Sequence, residues 1–335
     1  MTVRALFRAA IVEGHPAPHN TLHLKVFYPA QLSGSEQEQN LGIVPAHAEQ
    51  APFPIVILFN GINCGPELYQ WLAVALAEQG LVVVTFAWVA ENLPGLIALT
   101  PGVDLKMLMP DQYGQGPTAS ALPALLHELE TLNAAGVLAG LLDLNHVILG
   151  GHSAGGRVAI ESASPEFFPQ VRAAFAYGAH TAAVMQLGYP AGQILPLPDQ
   201  LPLLLLGGTQ DGVIAHSSDR YGITWERATT PVERTFHEAI QGGRDDSYLL
   251  LLEGGNHFSF VEPFDATTGR AFLDFPATQP NAALRELMAE AIGLFVATYR
   301  GDSRLETVRE RPEARQALNQ RLVAPQSLIA HFEHK

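Results

Sequence analysis

The chain of 335 residues contains a single cysteine, Cys64. That excludes an internal disulfide and a Cys-based zinc cage, and it fits a reducing, cytoplasmic setting. Basic residues are scarce. There are 19 Lys and Arg against 33 Asp and Glu, for a formal net charge of −14. So negative a body repels phosphate backbones, and no nucleic-acid partner is expected. No apolar run approaches the 18 residues or so of a membrane-spanning helix, so no transmembrane segment is expected. The opening MTVRALFRAAIVEGHP carries Arg4 and Arg8 but not the sustained apolar stretch of a secretory leader. An H-E-x-x-H motif is missing. The Gly207-Gly208 and Gly242-Gly243 pairs lack the Lys-Ser/Thr ending of a phosphate loop. The expectation is therefore no catalytic metal and no cofactor.

What remains is a chain rich in core material. Apolar residues make up 47% and charged residues 16%. Thr21–Tyr28 alternates apolar and polar positions and predicts a strand, with Val3–Ala10 as an antiparallel partner. Residues 31–52 are polar and read as a surface loop. Continuous apolar runs then predict buried strands at Ile55–Phe59, Leu81–Phe86, His146–Gly150, Val171–Tyr177, Leu203–Gly207 and Tyr248–Leu252. Helical spacing predicts helices over Glu67–Gln79, Ala119–Leu132 and Ala154–Ser162. A last helix is expected to start at Asn281, with Leu284, Met288, Ala291 and Phe295 on one face. This alternation implies an α/β fold: a mainly parallel central sheet with helices on both faces. No linker divides it, so residues 1–300 read as one domain with loop insertions near 89–117, 178–200, 213–247 and 258–280. Residues 301–335 read as a polar C-terminal tail or a docked helix. The sequence leaves the oligomeric state open.

The sharpest chemical feature is Gly151-His152-Ser153-Ala154-Gly155, between a predicted strand and a predicted helix. In that setting G-x-S-x-G is a nucleophile elbow. The serine stands on a tight turn at the carboxyl end of a strand, and Gly151 and Gly155 let strand and helix backbones approach. His152 reads as a support beside the nucleophile rather than as its base. A serine hydroxyl needs a base to take its proton, and the base needs a carboxylate to orient it. Two later strands supply them. Asp211 follows Leu203–Gly207, and His257 follows Tyr248–Leu252. The rival acids Asp199 and Asp246 precede their strands, and Asp219 falls beyond the loop. The expected triad is Ser153, Asp211 and His257. An oxyanion hole needs two backbone amides. Ala154, after the nucleophile, supplies one, and the turn after Phe59 supplies the other, with Ile62 favoured over Asn63. Trp88, Met107 and Met109 are candidates for a pocket wall.

These residues make the chain resemble an α/β-hydrolase over about residues 20–300. It is similar to cutinase-like and chlorophyllase-like esterases and to the platelet-activating-factor acetylhydrolase group. The likeness rests on Val26–Pro29, Asn60–Ile62, Gly151–Gly156, Asp211 and His257. It implies the α/β-hydrolase fold and cofactor-free cleavage of carboxylic esters through an acyl-enzyme. The implied partner is an apolar small-molecule ester. Asn60 stands where many lipases have histidine, and Ala154 replaces the arginine of a chlorophyllase-type GHSRGG. The dienelactone hydrolases of this fold use a cysteine nucleophile, and Cys64 lies away from the elbow. Two alternatives accompany the esterase reading. One is hydrolysis of a bulky isoprenoid ester of the chlorophyll type. The other is a non-catalytic ligand-binding protein built on a hydrolase fold.

Overall fold

The structure, a computed structural model, describes residues 2–93, 95–299, 312–323 and 327–335. Its strands are β1 (Thr2–Ile11), β2 (Thr21–Ala30), β3 (Phe53–Phe59), β4 (Val82–Leu93), β5 (Leu96–Leu99), β6 (Leu142–His152), β7 (Val171–Tyr177), β8 (Leu203–Gly208), β9 (Ser247–Leu252) and β10 (Ile329–His334). Its helices are α1 (Glu36–Leu41), α2 (Gln70–Ala77), α3 (Leu122–Ala134), α4 (Ala154–Glu161), α5 (Gly212–Ala215), α6 (Thr230–Arg234), α7 (Asn281–Tyr299) and α8 (Pro312–Val323).

One mixed sheet runs in the order β1-β2-β4-β3-β6-β7-β8-β9-β10, with β5 paired to β4 off this path. The six strands from β4 to β9 in that order are parallel, and β1, β2 and β10 are antiparallel to their neighbours. Both faces of the parallel strands are covered, which is why their sequences read as unbroken apolar runs rather than as alternation. Along β3, Ile55, Ile57 and Phe59 enter a core layer with α3 and α4. Val56 and Leu58 enter the opposite layer with α2, α7 and α8. The period of two along a strand thus feeds two separate cores from one segment.

Several expectations change. Residues 31–52 contain α1, capped by the Ser35 side chain, and are not loop throughout. Within 89–117, β4 continues to Leu93 and returns as β5, a hairpin hidden by the Pro and Gly of this stretch. The loop near 213–247 holds α5 and α6, followed by a π-helical turn at Thr235–Ala239. The predicted helix at Glu67–Gln79 begins as a 3-10 turn over Pro66–Tyr69 before α2.

The largest change is at the C-terminus. Residues 301–311 and 324–326 lie outside the described residues. Those between and beyond them do more than a tail or a lone docked helix would. α8 buries Leu318 and Leu322 in the same core layer as α7. β10 then pairs antiparallel with β9, from Ile329 opposite Leu252 to His334 opposite Tyr248. The sequence does not mark this strand, because alternation is weak over six residues and a β-bulge interrupts the register between Ile329 and His331. Among the described residues no helix is long and apolar enough to cross a membrane.

Leu318 is fully buried. Leu318→Ala is expected to lower unfolding stability by about 2–5 kcal/mol, the cost of a core Leu-to-Ala cavity. Urea denaturation measures it, and a loss below about 0.5 kcal/mol would mean that α8 is not part of the core.

Candidate active site

At the carboxyl end of β6 the chain turns directly into α4. Ser153, at the turn, has φ 57° and ψ −124°, a sparsely populated conformation for a side-chain-bearing residue. Two contacts hold it there. Its N–H donates to the Tyr177 carbonyl at 2.9 Å. The first turn of α4 also presses on β3, so a Cβ on Gly155 would lie 2.4 Å from the carbonyl oxygens of Phe59 and Asn60. A Cβ on Gly151 would lie 2.5 Å from Gly155. Only glycines permit this approach, which is the physical content of the G-x-S-x-G spacing.

Asp211 follows β8 and caps α5. Its Oδ1 accepts from the Ile214 N–H at 2.8 Å, and its Oδ2 accepts from His257 Nδ1 at 2.8 Å. Both residues are buried, at 1% and 4% exposure. His257 opens a 3-10 turn whose capping box joins Asn256 and Ser259 in both directions. Because Nδ1–H is given to the carboxylate, the neutral ring keeps its lone pair on Nε2. Burial disfavours the imidazolium, but the Asp211 carboxylate outweighs it and the His257 pKa lies above the usual histidine value. Gly178, at φ +59°, packs flat against this pair; a Cβ there would sit 3.0 Å from His257 Nδ1 and 3.2 Å from Asp211 Oδ2. The structure thus brings Asp211 and His257 into contact. The rival acids Asp199 and Asp246 are bound to Arg244. Asp219 lies on an exposed 3-10 turn.

His152 is fully buried. Its Nε2–H donates to the His257 carbonyl at 3.0 Å, so its Nδ1 accepts from the Tyr69 hydroxyl at 2.9 Å. Tyr69 in turn accepts from the Gly61 N–H at 3.0 Å. Burial first, then the neighbouring His257, hold His152 far below the usual histidine pKa, so it stays neutral. One hydroxyl therefore links the turn after β3, the residue before Ser153 and the backbone of His257.

The amides of the turn after β3 differ in their partners. Asn63 stands at φ 56°, with its N–H donating to Leu99 O at 2.8 Å and its Oδ1 accepting from Leu99 N–H at 3.2 Å. Gly61 N–H is taken by Tyr69. Between them, the Ile62 N–H has no hydrogen bond among the described residues. Ala154, the first residue of α4, likewise has no intrahelical acceptor for its amide.

The wall candidates fall elsewhere. Trp88 is a core residue at 1% exposure, with its indole N–H given to the His19 carbonyl and its ring against His15. It pairs with Leu22 across β2 and β4, which takes it into the core rather than to the triad. Met107 lies against Gly116, and Met109 is exposed on a turn closed by Lys106. Neither contact involves the triad.

Two residues that the sequence did not single out complete the site. Tyr69 is the hub just described. Asp274, from the irregular 258–280 segment, accepts from Gly212 N–H at 2.8 Å and from Phe258 N–H at 3.1 Å. Those amides directly follow Asp211 and His257, so one carboxylate ties the loop after β8 to the loop after β9. Burial, then the charge of Asp211, raise its pKa. No periodicity marks either residue. A groove of about 600 Å³ opens beside Thr209 and Gln210, between Arg227, His237 and His331, but no triad residue lines it. Among the described residues, no three His, Cys, Asp or Glu side chains converge to hold a metal ion.

No protein-family model matches the chain, and no curated protein matches its sequence.

Tyr69→Phe leaves two buried polar groups, Gly61 N–H and His152 Nδ1, without a partner. The expected cost is about 1–3 kcal/mol of stability, read by thermal or urea unfolding. An unchanged midpoint would show that Tyr69 links nothing.

Proposed function

We propose that the chain is a serine hydrolase of the α/β-hydrolase fold that cleaves carboxylic esters through an acyl-enzyme. The observation that carries this reading is the buried 2.8 Å contact between Asp211 and His257, at the sheet edge where Ser153 stands in a strained turn. The same Nδ1–carboxylate geometry joins His146 to Asp143 at 2.8 Å, within β6 and away from its carboxyl end. What singles out His257 as a general base is therefore its place at the sheet edge, its ring 4.6 Å from that of His152, the residue before Ser153.

In the proposed reaction His257 Nε2 takes the proton of Ser153 as Oγ bonds to the ester carbonyl carbon. The carbonyl oxygen becomes an oxyanion, held by the amides of Ile62 and Ala154. When the tetrahedral intermediate collapses, the bond to the leaving alkoxide breaks and His257 returns the proton to it. Water then gives a proton to His257 as its oxygen bonds to the acyl carbon. The second intermediate collapses, the bond to Ser153 Oγ breaks, His257 returns the proton to Oγ, and the acid is released. Asp211 fixes the tautomer and stabilises the transient imidazolium.

Two measurements test the roles. Asp211→Asn keeps the shape but offers a donor where an acceptor is needed. The expected fall in kcat on p-nitrophenyl esters is at least a hundredfold, on the order of 3 kcal/mol, with Asp219→Asn near neutral as the control. The reverse ranking would give the acid role to Asp219. The pH profile tests the base. His257 must be neutral to act, so kcat/KM falls as pH drops through its folded pKa. That limb is expected above the ordinary histidine midpoint, because the net pKa shift is upward. A limb below it would remove His257 from the base role.

A further inference from the structure

Two arginines beside the triad lack a counter-ion. Among the described residues, Arg220 and Arg270 are the arginines whose side chains form neither an ion pair nor a hydrogen bond. Others bind carboxylates, such as Arg157 to Glu161 and Arg285 to Glu262, or carbonyls, such as Arg4 to Gly42 and Arg172 to Asn145. In a chain where acids outnumber bases 33 to 19, acceptors are plentiful, and leaving two guanidiniums without a carboxylate or a carbonyl is conspicuous.

Their segments lie against the site. Arg270 follows Gly269, where a Cβ would lie 3.2 Å from the Phe258 ring and 3.5 Å from Cys64 Sγ. Phe258 packs edge-on to His257, with ring centroids 5.5 Å apart. Arg220 precedes Tyr221, whose ring stands edge-on to His180 at 5.0 Å. His180 lies two residues after Gly178, the glycine flattened against His257 and Asp211. The charges are close enough to feel one another. Burial first, then Arg220, lower the pKa of Arg270, and the charge of Arg270 in turn opposes protonation of His257. Arg270 is half-buried and Arg220 is exposed.

A half-buried guanidinium offers five N–H donors and no acceptor. Placed beside a like charge, it is stabilised by an anion that both can grasp, and the guanidinium fork matches carboxylate and phosphate oxygens. We propose that Arg220 and Arg270 bind an anionic group, a carboxylate or a phosphate, carried by the ester that Ser153 attacks. This rests on the hydrolase reading above and replaces a wholly apolar ester with one that is charged at the end remote from the scissile bond. Anchoring that end holds the ester carbonyl over Ser153. In an acidic protein the two arginines also give an anionic substrate a local point of attraction.

The test compares two p-nitrophenyl esters of equal acyl length, the neutral valerate and the anionic hemiglutarate. Wild type is expected to favour the hemiglutarate in kcat/KM by tenfold or more. That preference is expected to shrink several-fold between 20 and 500 mM NaCl, and to fall at least tenfold in Arg270→Gln and in Arg220→Gln. A wild-type preference for the valerate, or a preference unchanged in both variants, overturns the proposal. Calorimetric titration with glutarate and with inorganic phosphate reads the anion site without turnover. Binding of either to wild type, weakened tenfold in Arg270→Gln, supports the proposal, and the tighter of the two identifies the anion. No binding of either, or equal binding to the variant, contradicts it. A failure of the hydrolase reading looks different: neither ester is turned over by wild type, whatever the anions do.

Discussion

The candidate site depends on how closely α4 approaches β3. At that contact the helix backbone of Gly155 reaches the carbonyls of Phe59 and Asn60 at a distance that leaves no room for a Cβ. The approach fixes where α4 starts and forces Ser153 into its positive-φ turn. It also sets the first amides of α4 beside the turn that follows β3. A serine on a relaxed strand-to-helix loop would lie lower on the sheet edge, away from the residues that β8 and β9 deliver. The strain at Ser153 is supported by neighbours on both sides, the Tyr177 carbonyl and the β3 backbone, as such strain must be if it is to persist.

Around that contact the polar groups are ordered in one direction. Gly61 N–H gives to Tyr69, Tyr69 gives to His152, and His152 gives to the carbonyl of His257. His257 in turn gives Nδ1–H to Asp211. Each donor has one acceptor, so both imidazole tautomers are set by the network rather than by chance. Asp274 closes the far side by binding the amides after Asp211 and His257. The proposed chemistry asks for this order, because a base with the wrong tautomer cannot accept the serine proton.

The sequence made much of this legible for a physical reason. Buried parallel strands leave apolar runs, and β3, β7, β8 and β9 appear close to their observed bounds. The elbow shows in five residues because close backbone approach demands glycine at fixed offsets. Asp211 and His257 stand out because each follows such a run. What stayed hidden has no local signature. The β4–β5 hairpin lies in a stretch broken by Pro and Gly, yet through Leu99 it occupies the N–H and the Oδ1 of Asn63, while the Ile62 amide has no hydrogen bond among the described residues. Tyr69 and Asp274 act through hydrogen bonds between segments far apart in the chain. Trp88 follows the Leu81–Phe86 run, which makes it a wall candidate in sequence; the structure extends that strand through it, and the β2–β4 pairing buries it in the core. β10 is short and bulged, and only its pairing with β9 makes it a strand.

The central claim is that Ser153 is an activated nucleophile. Mass spectrometry of the protein after exposure to a fluorophosphonate measures this directly, since such a probe needs the nucleophile, its base and an oxyanion hole together. One adduct per chain is expected, mapped to the peptide containing Ser153, absent from Ser153→Ala and slowed at least a hundredfold in His257→Gln. An unmodified Ser153 in folded wild-type protein, or an equal adduct in Ser153→Ala, would contradict it.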